Sequence, residues 1–276
     1  MEAANSRMIE TRALTKRYGE LLAVDGLNLT IAGGEIFGFL GPNGAGKTTT
    51  IKMLVGLLRP TQGQALIGGY DVQQQPLQAK ALIGYLPDTP FLYEKLTGRE
   101  FLRFVARLYD LDGNTAGRRS DDLLQLFDLQ ERSDDLVQGY SHGMRQKLAL
   151  AAALLHEPRV FFLDEPTMGL DPKSARQVKD LLRHLAQHGT AIFMSTHILE
   201  VAERMCDRVG IIDRGRLIAC GTMAELRPTE GAGTLVDIFL RTNQARHILF
   251  VADRDALVEQ AKIEGFQAFI PDEPCA

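Results

Sequence analysis

Eight consecutive residues, Gly41-Pro-Asn-Gly-Ala-Gly-Lys-Thr48, limit what this chain can fold into more than any other segment. They follow a continuous apolar run, Ile36–Leu40, and precede a helical pattern that continues through Leu58. A glycine-rich loop between a buried strand and a helix is the setting in which a P-loop cradles phosphate. Glycines let successive backbone N–H groups turn inward without Cβ clashes, and together with the helix N-terminus those groups bind phosphate oxygens. Gly41, Pro42, Asn43, Gly44, Ala45 and Gly46 would form the cradle, continued by Thr49 at the helix start. Lys47 would place a point charge at the β and γ phosphates, and Thr48 would offer its hydroxyl to Mg2+.

The rest of the chain supplies a matching framework. Short apolar runs recur at Val160–Leu163, Ala191–Met194 and Val209–Ile212, separated by segments with helical spacing such as Val178, Leu181, Leu182 and Leu185. Buried strands alternating with helices imply a mostly parallel, covered sheet. Leu27–Ile31 alternates instead, as an antiparallel strand with one wet face does. From about Pro87 to Tyr140 helical patterns at Glu100–Tyr109 and Asp121–Phe127 predict a helical insertion, with Ser120 as the cap of its second helix. Beyond about Thr222 the pattern weakens, leaving Thr234–Leu240 as an expected strand and Arg254–Lys262 as an expected helix.

Composition narrows the class. With 276 residues, 45% hydrophobic and 24% charged, the chain suits one large α/β domain or such a domain with an appendage. The net charge of −4 argues against a broadly basic nucleic-acid binder, so no nucleic-acid partner is expected. The longest apolar stretch found, Leu148–Leu155, is far short of the roughly 20 residues of a membrane-spanning helix. Met1–Ile9 lacks the apolar run of a secretory signal, so a cytosolic location is expected. Cys206, Cys220 and Cys275 contain no CxxC pair, which argues against a disulfide framework or a zinc ribbon.

Two further segments carry chemistry. Asp164-Glu165 closes the run Val160–Leu163 and would place two carboxylates at the C-terminal end of a strand, where open α/β sheets bind ligands. Asp164 would hold Mg2+, and Glu165 would orient or deprotonate a water. Tyr140-Ser141-His142-Gly143-Met144 opens a helical run, Lys147–Leu155. Ser141 as N-cap and Gly143 with its exposed backbone make a second anion site, which invites a two-subunit sandwich. Asp171-Pro172 reads as another helix start. His184 and His188 are spaced i, i+4, but without a third ligand nearby they read as solvated surface residues.

Over residues 8–225 the chain resembles the ATP-binding subunit of ABC transporters, with the motifs in that family's order. The resemblance implies an α/β P-loop NTPase fold of ABC type. Its parts would be a mostly parallel core sheet, an N-terminal antiparallel β region, a helical subdomain at about 88–157 and a C-terminal extension at 226–276. It also implies an ATPase that uses ATP and Mg2+. Tyr18 falls where the family stacks an aromatic ring on adenine, Met168–Asp171 resembles the D-loop, and His197 in Ser195-Thr196-His197 resembles the switch histidine that contacts phosphate. Two such subunits, most simply two copies of this chain, would bind two ATP head to tail, each between one P-loop and the other Ser141 loop. A separate membrane permease would be driven from the cytoplasmic face of the membrane.

Two departures from the family pattern stand out. Tyr140, His142 and Met144 replace the Leu, first Gly and Gln of the signature Leu-Ser-Gly-Gly-Gln, while Ser141 and Gly143 are kept. Asp88 occupies the Q-loop glutamine position, where a carboxylate would bind Mg2+ more strongly than an amide but repel phosphate. Thr234–Leu240 resembles a segment following the core in ABC-2-type exporters, which favours export over import. A soluble ABC-type regulatory or mechanical ATPase is the alternative. The single P-loop and the lack of sustained heptads weigh against it.

Overall fold

The computed structural model describes residues 7–166 and 171–226. The strand expected at Thr234–Leu240 and the helix expected at Arg254–Lys262 lie outside the described residues, as do Met168–Leu170 of the expected D-loop.

The four expected apolar runs are strands in one six-stranded sheet. They are β3 (Ile36–Leu40), β7 (Val160–Asp164), β8 (Ala191–Thr196) and β9 (Arg208–Asp213), joined by β6 (Ile83–Leu86) and β10 (Arg216–Thr222) in the order β10-β9-β3-β8-β7-β6. Five of these strands are parallel, and β10 pairs antiparallel with β9 at one edge. Every residue of β3, β7 and β8 is buried, which explains why these strands read as continuous apolar runs rather than alternating ones. Phe193 of β8 sits between neighbours on both sides, with ring centroids 5.2 Å from Phe39 and 5.7 Å from Phe162.

A second, antiparallel sheet has the order β2-β1-β4-β5, from β1 (Arg7–Tyr18), β2 (Leu21–Ala32), β4 (Gln62–Ile67) and β5 (Tyr70–Asp71). The alternation at Leu27–Ile31 belongs to β2, whose Leu27, Leu29 and Ile31 are buried while Asn28 and Thr30 face out. The first helix, α1 (Lys47–Leu54), is shorter than the pattern through Leu58 suggests. It stops where Gly56 takes φ +71°, because a left-handed residue cannot continue a right-handed helix. The short helix α2 (Pro76–Ala81) leads into β6.

The insertion is helical, as expected, and consists of α3 (Gly98–Leu108), α4 (Gly113–Leu126) and α5 (His142–Leu154). Thr97 and Glu100 form a reciprocal capping box at the start of α3. Ser120 is not the cap of the next helix. α4 begins at Asp112, whose carboxylate accepts from the N–H groups of Asn114 and Thr115 at 3.1 and 3.0 Å. Ser120 is buried inside that helix. An ionised cap accepting two first-turn N–H groups outcompetes a serine lying two turns further on.

His156, after α5, fastens the insertion to the sheet edge. Its Nε2 donates to the carbonyl of Ile83 on β6 at 2.9 Å, and its ring stacks on Tyr109 at 3.7 Å. Burial lowers its pKa from 6.5 to about 4, with nearby Arg119 acting in the same direction against the bond to Ile83. The folded pKa is therefore below the unfolded one, so between pH 6.5 and 4 the unfolded chain takes up a proton that the folded chain refuses. Stability should fall as the pH is lowered through that window. Urea unfolding of His156→Phe, which keeps a ring against Tyr109, should show a shallower loss between pH 6.5 and 4 than the parent.

Two helices complete the described residues, α6 (Pro172–Gln187) and α7 (Leu199–Met205). Asp171 caps α6 by accepting from the N–H groups of Lys173 and Ser174, each at 3.0 Å, with Pro172 in the first turn. Its bonds from Ser174, side chain first, hold its carboxyl below the usual range.

Candidate functional site

All five parallel strands lead at their C-terminal ends into segments that line one cleft. β3 leads into the glycine loop, β7 ends in Asp164 and continues to Glu165, β8 leads to His197, β6 leads to Asp88, and β9 leads to Arg214. Together these segments line one cleft of about 810 Å3. Within it lie Tyr18, Asn43, Gly44, Gly46, Lys47, Thr48, Thr49, Asp88, Asp164, Glu165 and His197.

The loop is shaped by close backbone approach. Gly46 has φ +111°, and a Cβ there would come within 2.4 Å of the Ala23 carbonyl oxygen, while a Cβ at Gly41 would come within 2.3 Å of the Ile212 carbonyl oxygen. Ala45 is buried, and its N–H closes the loop by donating to Pro42 at 3.1 Å. No side chain caps α1, so its first N–H groups are available to an anion. Lys47 is buried, and its Nζ donates to the Gly41 carbonyl at 2.6 Å and the Pro42 carbonyl at 3.2 Å. Burial lowers its pKa, opposed by the carboxylates of Glu165 and Asp164.

Asp164 is 2% exposed and is held by two hydroxyls. Thr48 Oγ1 donates to its Oδ2 at 2.8 Å, and Ser195 Oγ donates to its Oδ1. The register of β7 and β8, which sets Asp164 opposite Ser195, makes the second contact possible. Glu165, the next residue, has φ +51°. Strand alternation would send Glu165 to the face opposite Asp164; the left-handed turn takes it out of that alternation, and both acids line the one cleft. Glu165 Oε1 lies 2.8 Å from His197 Nδ1. With an Nδ1 proton donated to the carboxylate, His197 can donate from Nε2 as well only as an imidazolium.

Tyr18 ends β1 half exposed, with Lys16 Nζ 5.1 Å from its ring centroid. Lys16 is held by the Arg59 carbonyl at 2.8 Å, so the ammonium covers one face of the ring. Tyr85, at the base of the Asp88 loop, has its pKa pushed up to about 12 by burial, then by Asp164 and Asp88. It therefore stays a neutral phenol.

Ser141 and Gly143 lie outside this cleft, and so does Asp171. Ser141 caps α5, accepting from the Met144 N–H at 3.3 Å. Tyr140, the departure beside it, is buried, and its hydroxyl donates to the Arg132 carbonyl at 2.7 Å. The space comes from Gly98, where a Cβ would lie 2.4 Å from that hydroxyl.

The sequence reading missed Leu21, Leu22 and Ala23 and the turn Arg214-Gly215, all of which line the cleft. The turn had a signal: Asp213-Arg214-Gly215 directly follows the buried run Val209–Ile212, the same strand-end rule that located Asp164.

The sequence profile of the ABC transporter family matches residues 24–168. The chain belongs to the ABC transporter family. The daunorubicin resistance ATP-binding protein DrrA3 of Streptomyces coeruleorubidus is 45% identical over 226 residues, which is 82% of this chain and 71% of that protein. A solved ATP-binding subunit of an ABC transporter superposes with a TM-score of 0.80 at 34% identity, covering 86% of this chain and 99% of the other. A dimeric ATP-binding cassette in a post-hydrolysis state with ADP and Pi shares the fold, with a TM-score of 0.72 at 24% identity, covering 78% of this chain and 98% of the other. The ABC-type α/β fold expected from the motifs is the fold observed. As an ABC cassette the chain is an ATP-binding, ATP-hydrolysing subunit. Calorimetry should show that Lys47→Ala loses ATP binding altogether; an unchanged dissociation constant would refute the cradle.

Proposed function

We propose that this subunit powers a drug-type exporter from the cytoplasmic face of the membrane, working as a pair of identical chains around two ATP and driving a separate permease. The observation that carries this reading is the convergence of the Lys47 cradle, the Thr48–Asp164 pair and the Glu165–His197 pair in one cleft, with the Ser141 helix start held outside it. A helix start that does not line its own cleft would be free to serve a neighbour's nucleotide.

The donor set fits Mg2+. Thr48 and Asp164 present oxygens 2.8 Å apart, and Asp88 adds a carboxylate to the same cleft; hard oxygen ligands with room for water and phosphate suit that ion. Bound there, Mg2+ would neutralise charge on the β and γ phosphates. Lys47 would exchange its loop carbonyls for phosphate oxygens. Glu165 would take a proton from the attacking water, and His197, fixed through Nδ1, would aim Nε2 at the γ-phosphate. Tyr18 would stack on adenine with the ring face that Lys16 leaves open.

Two features support the partners. No helix among the described residues is long and apolar enough to cross a membrane, which is in keeping with a transport path supplied by a separate permease. The loop between β6 and α3 carries Phe91, 98% exposed, and exposed Tyr93, and Phe91 lines an apolar groove of about 430 Å3 with Leu57, Tyr85, Phe101 and Tyr109. A permease helix seated there would feel motion of the helical insertion. In the pair, Ser141 and Gly143 would donate to the opposing γ-phosphate. Asp171 would sit at the contact, and cleavage of ATP would remove those bridging interactions and part the subunits. The similarity to a daunorubicin resistance protein favours export.

Glu165→Gln should keep ATP binding while slowing turnover by about 10²- to 10⁴-fold, the range for loss of a general base; steady-state phosphate release measures it, and an unchanged rate refutes the assignment. Ser141→Arg should abolish ATP-dependent dimerisation in sedimentation experiments. A persisting dimer would contradict the sandwich.

A further inference from the structure

Arg145 lies four residues into α5, next to the Ser141 helix start. A cation so near a helix N-terminus is disfavoured by the macrodipole, yet this one is fully engaged in pulling back from it. Its Nε donates to the Tyr140 carbonyl at 3.3 Å, its Nη2 to the Gln138 carbonyl at 3.2 Å, and its Nη1 to Glu94 Oε1 at 2.7 Å. A planar guanidinium bonded in three directions fixes the backbone on the N-terminal side of Ser141.

Glu94 belongs to a segment that is itself tied to the stretch before the signature. The Gln138 N–H donates to the Glu94 carbonyl at 3.1 Å, the Val137 N–H donates to the Leu96 carbonyl at 2.9 Å, and Lys95 Nζ donates to Gln138 Oε1 at 2.9 Å. A β-bridge joins Thr97 to Leu136. The same segment begins in the nucleotide cleft at Asp88 and carries Phe91 and Tyr93. One short stretch of chain therefore touches the cleft, the exposed aromatic side chains and the loop that carries Ser141.

We propose that Arg145 is a positioning residue for the Ser141 loop, and that its pair with Glu94 ties the orientation of that loop to the segment leaving the cleft at Asp88. The proposal rests on the reading of Ser141 and Gly143 as donors to a second subunit's nucleotide. The Arg145–Glu94 pair is partly solvent-exposed, so it adds little to folding stability. Its effect lies in where the loop points.

The test uses the full chain carrying Glu165→Gln, with ATP-dependent dimerisation read by sedimentation and the cleft of the single chain read by fluorescence of a mant-labelled ADP. Arg145→Ala should weaken dimerisation about tenfold through loss of charge-assisted bonds, and Glu94→Gln about threefold through loss of an exposed pair. The labelled ADP should bind both variants within about twofold of the parent, since the P-loop contacts that dominate its binding are untouched. Adding Glu94→Gln to Arg145→Ala should cause no further loss, because the two act through one contact. If Arg145→Ala does not fold, Glu94→Gln decides alone.

Three results would overturn the proposal. Dimerisation of both variants as tight as the parent's, with Ser141→Arg still blocking it, removes the positioning role and leaves the sandwich standing. A dimer with Ser141→Arg, or none in the parent, removes the sandwich reading and the proposal with it. An ADP affinity that falls in step with dimerisation shows that Arg145 supports the fold as a whole.

Discussion

The buried carboxylate of Asp164, gripped by Thr48 on one oxygen and Ser195 on the other, is the contact on which the rest of the site depends. A charge with 2% exposure requires donors. Its two donors come from the glycine loop after β3 and from β8, and the carboxylate itself ends β7. Three chain segments far apart in sequence are thus locked in register at one point. The lock fixes where Thr48 presents its oxygen and where Glu165, turned by its positive φ, leaves the strand.

Around that point the molecule divides its chemistry. The parallel sheet supplies a complete cradle with its acids and histidine, while the helical insertion carries a helix start that its own cleft does not use. Tyr140 and Gly98 show how a departure from the family signature is accommodated: the larger ring is buried, and a glycine at the start of α3 makes room for its hydroxyl. The loop it precedes still presents Ser141 as a helix cap.

Sequence made the cleft legible because its parts sit beside runs that have only one plausible burial. Ile36–Leu40, Val160–Leu163 and Ala191–Met194 are apolar on both faces, so their C-terminal ends could be located and the polar residues there read as ligands. Less legible were elements whose character comes from partners. β6 is four residues with a glycine inside, and it is a strand because it pairs with β7. The start of α4 lay behind Gly113 and Gly117, which hide helical periodicity, and only the cap geometry of Asp112 places it. The pairing of His197 with Glu165 was hidden as well, since proximity across β7 and β8 is a matter of register.

The turn Arg214-Gly215 binds the two sheets together. Asp25 of β2 donates its N–H to the Gly215 carbonyl at 2.8 Å and pairs with Arg216 at 2.7 Å, while the Gly215 N–H donates to Ala45 of the glycine loop at 2.9 Å. Tyr18 at the end of β1 and Lys47 at the start of α1 therefore belong to one hydrogen-bonded block. The insertion joins that block through the stretch after Leu86, which reaches the cleft at Asp88, and through His156, anchored by its bond to Ile83 and its stacking on Tyr109, so the cleft takes its lining from the block and from the insertion's first joint alike.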